Sequence, residues 1–289
     1  MAKKPQKTYQ ELLKRSYLEL IQGYCDKGYK LAKYGSVKEL GQKYDLYKIV
    51  INPKARKTLL ITTGFHGEEP NGLISLLQIF DDIVRYANEM RVRLIVYPCI
   101  NPFGFETGRR YSPSTPRGMG NNDFMRYEIE PDKWVGILKE NEPSLSCRIV
   151  DSKAREVSLL KHDVLEYRVP EAVLDIHQQK GYLETGETFA YIFDRRPTYK
   201  RIMKKVGKIA KIARNEDNPL KDKGREIPSR IDNDGFIEIH DGSITDMFYC
   251  LGSIFAVTCE TKTDLPLEKV CQINLIWAKD LIKLIAKRK

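Results

Sequence analysis

Five runs of continuously apolar or β-branched residues constrain the fold of this chain more than any other feature. They are YDLYKIVI (44–51), TLLITTG (58–64), VRLIVYPC (92–99), AVLDIH (172–177) and IFAVTCE (254–260). A strand that is apolar at nearly every position is buried on both faces, as in a parallel or mixed sheet covered by helices. Helical periodicity between the runs supplies that cover. Residues 8–24 carry Leu12, Leu13, Tyr17, Leu20, Ile21 and Tyr24 at helical spacing. NGLISLLQIFDDIVRYANEM follows Pro70, a residue suited to the first position of a helix, and LEKVCQINLIWAKDLIKLIAKR closes the chain. The pattern predicts one α/β domain over residues 1–289, with a mixed, mainly parallel twisted sheet and helices on both faces. Residues 1–40 are expected to form an N-terminal helical extension packed on it. Two stretches, 103–122 and 214–235, are rich in turn-forming and charged residues and read as long loops, which in compact domains are commonly functional.

The composition, 42% hydrophobic and 30% charged over 289 residues, is that of a globular chain. No run of about 20 apolar residues is present to cross a membrane, and the basic start, MAKKPQKTYQELLKR, lacks the apolar stretch of a signal peptide. The six cysteines, at 25, 99, 147, 250, 259 and 271, contain no C-x-x-C pair and several lie in apolar segments. Reduced thiols and a cytoplasmic setting are the expectation. A net charge of +10 raises the question of nucleic acid. The most basic segment, Tyr199 to Asn215, places Ile202, Val206, Ile209 and Ala213 on one helical stripe, with its lysines largely outside. That is a solvated helix face without aromatic platforms for bases, so neither nucleic acid nor membrane is an expected partner. The oligomeric state is not legible.

The chemistry collects where strands end. TLLITTG runs into His66 and Glu69; VRLIVYPC runs into Asn101 and an arginine-rich loop; AVLDIH ends on His177 and IFAVTCE on Glu260. In open α/β sheets ligands bind beyond the carboxyl ends of the strands, so four such endings can face one cleft. An imidazole nitrogen and a carboxylate oxygen three residues apart can both bind zinc, at about 2.0–2.2 Å. The alternative for Glu69 is a carboxylate placed against the positive end of a helix dipole. Two His and one Glu form a common catalytic zinc set, which His66, Glu69 and His177 would supply. Asp175 reads as a strand-closing hydrogen-bond partner pointing the other way. Glu260 is either the acceptor of a proton from water or a partly buried salt-bridged carboxylate.

The order HGEE, NPFGFETGRR, NNDF, LDIH and TCET, spanning residues 61 to 260, resembles the zinc carboxypeptidase family of metallopeptidases. The resemblance implies one zinc per chain on His66, Glu69 and His177, Glu260 as general base and later acid, and Arg110 as the group that polarises the scissile carbonyl. Arg109 is the fallback within the RR pair. The implied activity is hydrolysis of a peptide or amide bond, with a peptide or an acylated amino acid as substrate. N-acyl amino acid deacylases of the desuccinylase and aspartoacylase type share the metal set. They usually append a β-rich domain after the glutamate, whereas the residues following Glu260 here read mostly as one helix. A catalytically inactive binding module is the non-enzyme alternative.

The departures from the family pattern concern the substrate. Asn121 matches the family asparagine, but Asn122 stands where the family has an arginine that grips a terminal carboxylate. Arg126 and Arg117 are the nearby candidates to replace it. The tyrosine that closes over substrate aligns with Ile237 or Glu238, with Tyr249 too late, leaving Glu238 or His240 to face the cleft. A carboxylate there would favour a substrate amine or cation.

Overall fold

The computed structural model describes residues 16–115, 120–138, 142–180, 186–214, 221–222, 225–226 and 230–288. In chain order the elements begin α1 (Tyr17–Asp26), β1 (Leu31–Glu39), β2 (Gln42–Ile51), β3 (Thr58–Thr63), α2 (Pro70–Met90), β4 (Arg93–Tyr97), α3 (Pro102–Thr107), β5 (Met125–Glu130), β6 (Lys133–Val135) and β7 (Ser146–Ile149). They continue with α4 (Arg155–Leu165), β8 (Ala172–Gln179), β9 (Glu187–Ile192), α5 (Arg196–Val206), β10 (Lys211–Ile212), β11 (Lys221–Asp222), β12 (Arg225–Glu226), β13 (Phe236–Ile237), α6 (Ile244–Cys250), β14 (Phe255–Lys262) and α7 (Leu267–Ala286).

The main sheet runs β1-β2-β4-β3-β8-β14-β9-β10, with β13 also beside β9. Its centre, β4-β3-β8-β14, is parallel throughout, and antiparallel pairs appear at β1/β2, β2/β4 and β14/β9. The fold is therefore the expected mixed, mainly parallel α/β sheet. All five predicted strands are present, because a buried strand needs apolar residues on both faces and few sequences other than strands keep them.

Period-two alternation sends each central strand's side chains to two different cores. Leu59, Ile61, Leu94, Val96, Ala172, Leu174, Phe255 and Val257 point to the side covered by α1, α2, α5 and α7. Leu60, Ile95, Tyr97 and Val173 point to the other side, where α4, α6 and β5 cover them. By the same alternation Asp175 and His177 share the face of Val173, and their register partners Thr258 and Glu260 share it on β14. The three-stranded sheet β6-β5-β7 lies on that side through Met125 and Tyr127.

Three segments differ from the sequence expectation. Residues 31–39 are not part of a helical extension but the edge strand β1, paired antiparallel with β2. LAKYGSVKE is half exposed and mixes Lys, Gly and Ser among its apolar residues, so it carries neither a helical nor a strand period. The helical reading of residues 8–24 is met over Tyr17–Asp26, capped by Ser16 Oγ accepting from Glu19 N at 3.2 Å, and its first part lies outside the described residues. The basic segment is helical from Arg196 to Val206 and then turns at Gly207 into β10.

The core's largest side chain is Trp277 of α7, which is fully buried and 6.3 Å from the Tyr199 ring of α5. Trp277→Ala is expected to lower stability by about 3–5 kcal/mol, the range for removing a buried aromatic. Urea unfolding checks this: the midpoint should drop while the slope is unchanged.

Candidate metal centre and catalytic site

After β3 the chain turns through Gly64, in the left-handed region at φ +77, and delivers His66 and then Glu69 to the start of α2. Glu69 is the N-cap residue, yet its carboxylate makes no capping hydrogen bond. It turns to the imidazoles instead: Oε1 lies 2.7 Å from His66 Nδ1, and Oε2 lies 2.9 Å from His177 Nδ1. Gln178 N also donates to Oε2 at 3.0 Å. This disposes of a purely helix-terminal role for Glu69. The ligating atoms of His66, Glu69 and His177 all lie within 4.8 Å of one another, and all three residues are buried.

The strand register explains the meeting. β3 and β8 are parallel neighbours with Thr63 opposite Ile176, so the β3 exit and His177 reach the same level. β14 is the next strand, with Glu260 directly opposite His177. Asp175 does not point away: residues i and i+2 of a strand share a face, and its Oδ2 is 2.8 Å from His177 Nε2. Its other oxygen accepts from Thr62 Oγ1 at 2.8 Å. A carboxylate on the far nitrogen of a ligating histidine fixes its tautomer and ring orientation. Phe65 stacks on the His177 ring, with 5.9 Å between centroids and 10° between planes.

The arginine loop is tied to this cluster by Asn101. Its Nδ2 donates to Phe65 O at 3.3 Å and Arg110 O at 3.2 Å; its Oδ1 accepts from Gly104 N and Ser112 Oγ, both at 2.8 Å. As N-cap of α3, with Pro102 after it, Asn101 converts part of the expected loop 103–122 into a short helix. Arg110 then reaches the cluster: Nη1 is 3.0 Å from Glu68 Oε1 and 3.2 Å from Glu69 Oε1, and Nε donates to the Tyr111 hydroxyl at 3.1 Å. Arg109 is exposed, with its guanidinium 5.9 Å from the Phe103 ring. The geometry thus separates the two arginines.

Electrostatically the site is rich in carboxylates. Burial pushes the Glu69 carboxyl up, but His66, His177 and their hydrogen bonds outweigh it and hold the group well below its ordinary range. Burial pushes His66 down. It acts the same way on His177, but Asp175 and Glu69 prevail and raise that imidazole well above its ordinary value. Burial drives the Glu260 carboxyl up to about 8; Glu69 and Asp175 add to the rise and His177 and Arg110 oppose it. Glu260 is only 6% exposed, and its Oε2 has no hydrogen-bond partner among the described residues. A neutral imidazole, a carboxylate held ionised, a second imidazole oriented by Asp175 and an orphaned buried carboxylate oxygen fit a divalent cation of the zinc type.

The substrate-side candidates are differently engaged. Asn121 is buried with its Oδ1 unpartnered among the described residues. Asn122 Nδ2 donates to Asp241 Oδ2 at 2.9 Å and to Asp241 O at 3.1 Å. Glu238 is exposed and paired with Arg196 at 3.1 Å, not with the cluster. Arg126 is held by Asp123 Oδ1 at 2.8 Å and by the Met125 carbonyl, and Arg117 lies outside the described residues. Asp241, Gln178 and Thr62 carried no motif, and only their nearness in sequence to His240, His177 and the end of β3 marked them.

Residues 55–178, somewhat under half of the chain, match the succinylglutamate desuccinylase/aspartoacylase catalytic domain. A protein from Shewanella amazonensis assigned as a metallopeptidase superposes with a TM-score of 0.64 at 21% identity, over 94% of this chain and 92% of that one. A metallo-carboxypeptidase from Pseudomonas aeruginosa, solved with (2-guanidinoethylmercapto)succinic acid, gives 0.56 at 15% identity, over 93% and 68%. Thrombin activatable fibrinolysis inhibitor gives 0.61 at 13%, over 99% and 78%. The chain has the metallo-carboxypeptidase fold. The resemblance to zinc carboxypeptidases, with desuccinylase and aspartoacylase relatives, is borne out. No curated protein matches the sequence at a significant level. Within this carboxypeptidase fold, the stretch matched by the desuccinylase/aspartoacylase model includes His66, Glu69, Arg110 and His177 but ends before Glu260.

The loop that bears His66 and Glu69 packs on the segment leading to Arg110 glycine on glycine. A Cβ on Gly67 would lie 1.8 Å from the Gly104 carbonyl carbon, and Gly67 N donates to Arg110 O at 3.3 Å. Gly67→Ala must push backbone from backbone, so a loss of about 1–3 kcal/mol is expected, together with weaker metal retention. Thermal unfolding and metal analysis of the dialysed variant read both. An unchanged midpoint with full metal content would show that the loops tolerate separation.

Proposed function

We propose that this chain is a zinc-dependent hydrolase of a peptide or amide bond, carried by one catalytic domain. The convergence of His66, Glu69 and His177 beside the orphaned carboxylate of Glu260 carries this reading. A zinc ion held by those three residues supplies Lewis acidity, polarising a carbonyl and lowering the pKa of a coordinated water.

The chain's own residues supply the rest. Glu260 accepts the proton of the attacking water and returns it to the leaving amine, a role suited to a carboxyl whose affinity for protons is raised by burial. Arg110 faces the developing oxyanion; its guanidinium is tethered by Glu68, Glu69 and Tyr111, and about a third of its side chain stays open to solvent. Asp175 and Thr62 hold His177 in one orientation. Asn121 and Asn122 lie on the substrate side, with Arg109 and Glu238 peripheral to it. Six unpaired cysteines agree with a cytoplasmic setting.

The second reading is an N-acyl amino acid deacylase, favoured by the match over residues 55–178. A panel of peptides with free and blocked termini, run beside N-acyl amino acids, separates the two.

His177→Ala should lose the zinc held with His66 and Glu69, one ion per site of this kind. Retention of full zinc would mean that the ligands are misassigned. Glu260→Gln should keep its zinc and lose at least about 10²-fold in rate, the low end for general acid–base catalysis. Wild-type turnover by zinc-loaded Glu260→Gln would overturn the mechanism.

Specificity follows from Asn122. It offers neutral donors already committed to Asp241, and that carboxylate repels a substrate's terminal carboxylate. A charge-assisted hydrogen bond is worth roughly 1.5–3 kcal/mol against about 1 for a neutral one, a difference of a few-fold to about thirtyfold. Amidating a peptide's C-terminus is therefore expected to change kcat/KM by less than about tenfold. A hundredfold preference for the free acid, in a matched pair assayed at equal zinc loading, would refute this.

A further inference from the structure

A second group of metal-type donors stands on α6 and the loop before it, separate in residues from the first. Asp246 is fully buried and its carboxylate is aimed: Oδ2 accepts from Gly242 N at 2.8 Å and from the Tyr127 hydroxyl. That leaves Oδ1 facing His240 Nδ1 at 2.7 Å and Cys250 Sγ at 3.8 Å. The donor atoms of His240, Asp246 and Cys250 lie within 4.8 Å of one another. Cys147 sits opposite Tyr127 in the β5/β7 ladder, and its thiol is within hydrogen-bonding reach of Cys250. Phe193, Tyr127 and Tyr249 wall the His240 ring, with centroids 5.4, 5.4 and 5.8 Å away.

A histidine–aspartate pair needs neither thiol for its stability. A thiol beside an imidazole and a carboxylate whose far oxygen is already held, with a second thiol next to the first, is a zinc-type donor set: thiolate and imidazole select zinc-type ions over magnesium and calcium. A hydrogen-bonded far oxygen is also how ligating carboxylates are oriented.

We propose that His240, Asp246, Cys250 and Cys147 form a second, thiolate-containing transition-metal site. The donors come from the 238–243 loop, α6 and β7, so one ion there ties the β5-β6-β7 sheet to the main domain. The same loop carries Asp241, the partner of Asn122, and α6 is bonded to β14 through Thr245 Oγ1 and Thr258 Oγ1 at 2.9 Å. The ion would thus stiffen the wall beside the first site without taking part in its chemistry.

The test uses the full-length protein, reduced, stripped of metal and titrated with Co2+ alone. About two equivalents should bind, and a thiolate-to-cobalt charge-transfer band should appear in the near ultraviolet. The first site holds no sulfur, so the band reports the second site only. Cys250→Ser should abolish the band and one equivalent, while His66→Ala should lose the other equivalent and keep the band. Cys147→Ser should leave about half the intensity, one thiolate in place of two. Cys250 and Cys147 are both exposed, so serine is tolerated in the fold. No band in a cobalt-loaded wild-type protein, or a band that Cys250→Ser leaves intact, overturns the proposal. A full band in Cys147→Ser removes Cys147 from the donor set. Failure of the first site alone would show as a lost equivalent with the band intact.

Discussion

The site depends on one buried carboxylate that bridges two strand-end histidines. Glu69 sits at the N-terminus of α2, where a carboxylate would ordinarily satisfy backbone amides. Here it gives one oxygen to His66 and the other to His177 and Gln178 N. That choice locks the β3 exit to β8, and everything else at the site is arranged around it. Arg110 is drawn in by Glu69 and Glu68, and Glu260 arrives because β14 is the register neighbour of β8.

The charge balance explains why such a cluster calls for a cation. Glu69, Asp175 and Glu260 are buried together, with Arg110 as the cation beside them. Like charges in a low-dielectric site cannot all ionise unless something positive is supplied. The protein answers by raising the proton affinity of His177 and Glu260. A divalent ion on the same ligands would offer a stronger answer, and would take the place of a proton on His177. The His66, Glu69 and His177 group fits such an ion.

The substrate side follows a different logic. Asn122 is occupied by Asp241, Arg126 by Asp123, and Glu238 by Arg196. Arg126 stays beside Asn122, its Nη1 donating to Asn122 O at 3.3 Å. Burial and the nearby Asp246 push the Asp241 carboxyl up to about 6, so near neutral pH it leans towards the anion. The wall formed by Asn122 and Asp241 is acidic and amide-lined.

Much was legible in the sequence because it rests on local physics. Continuous apolar runs marked the central strands, Pro70 marked the start of α2, and His66, Glu69, His177 and Glu260 each stood at a strand end. Edge strand β1 was not legible, since one exposed face and a bulge near Gly35 break its period. Helix α3 hid inside a Gly- and Pro-rich stretch because its formation depends on Asn101, whose bonds reach Phe65, Arg110 and Ser112. Only the tertiary structure set Arg110 rather than Arg109 against Glu69, braced Asp175 on Thr62, and committed Asn122 to Asp241. Each of these is a contact set by strand register or loop crossing between residues far apart in sequence: Thr62 and Asp175 are separated by 113 positions, Asn122 and Asp241 by 119. Sequence periodicity reports which face a side chain takes, while the partner on that face is chosen only when the sheet is assembled.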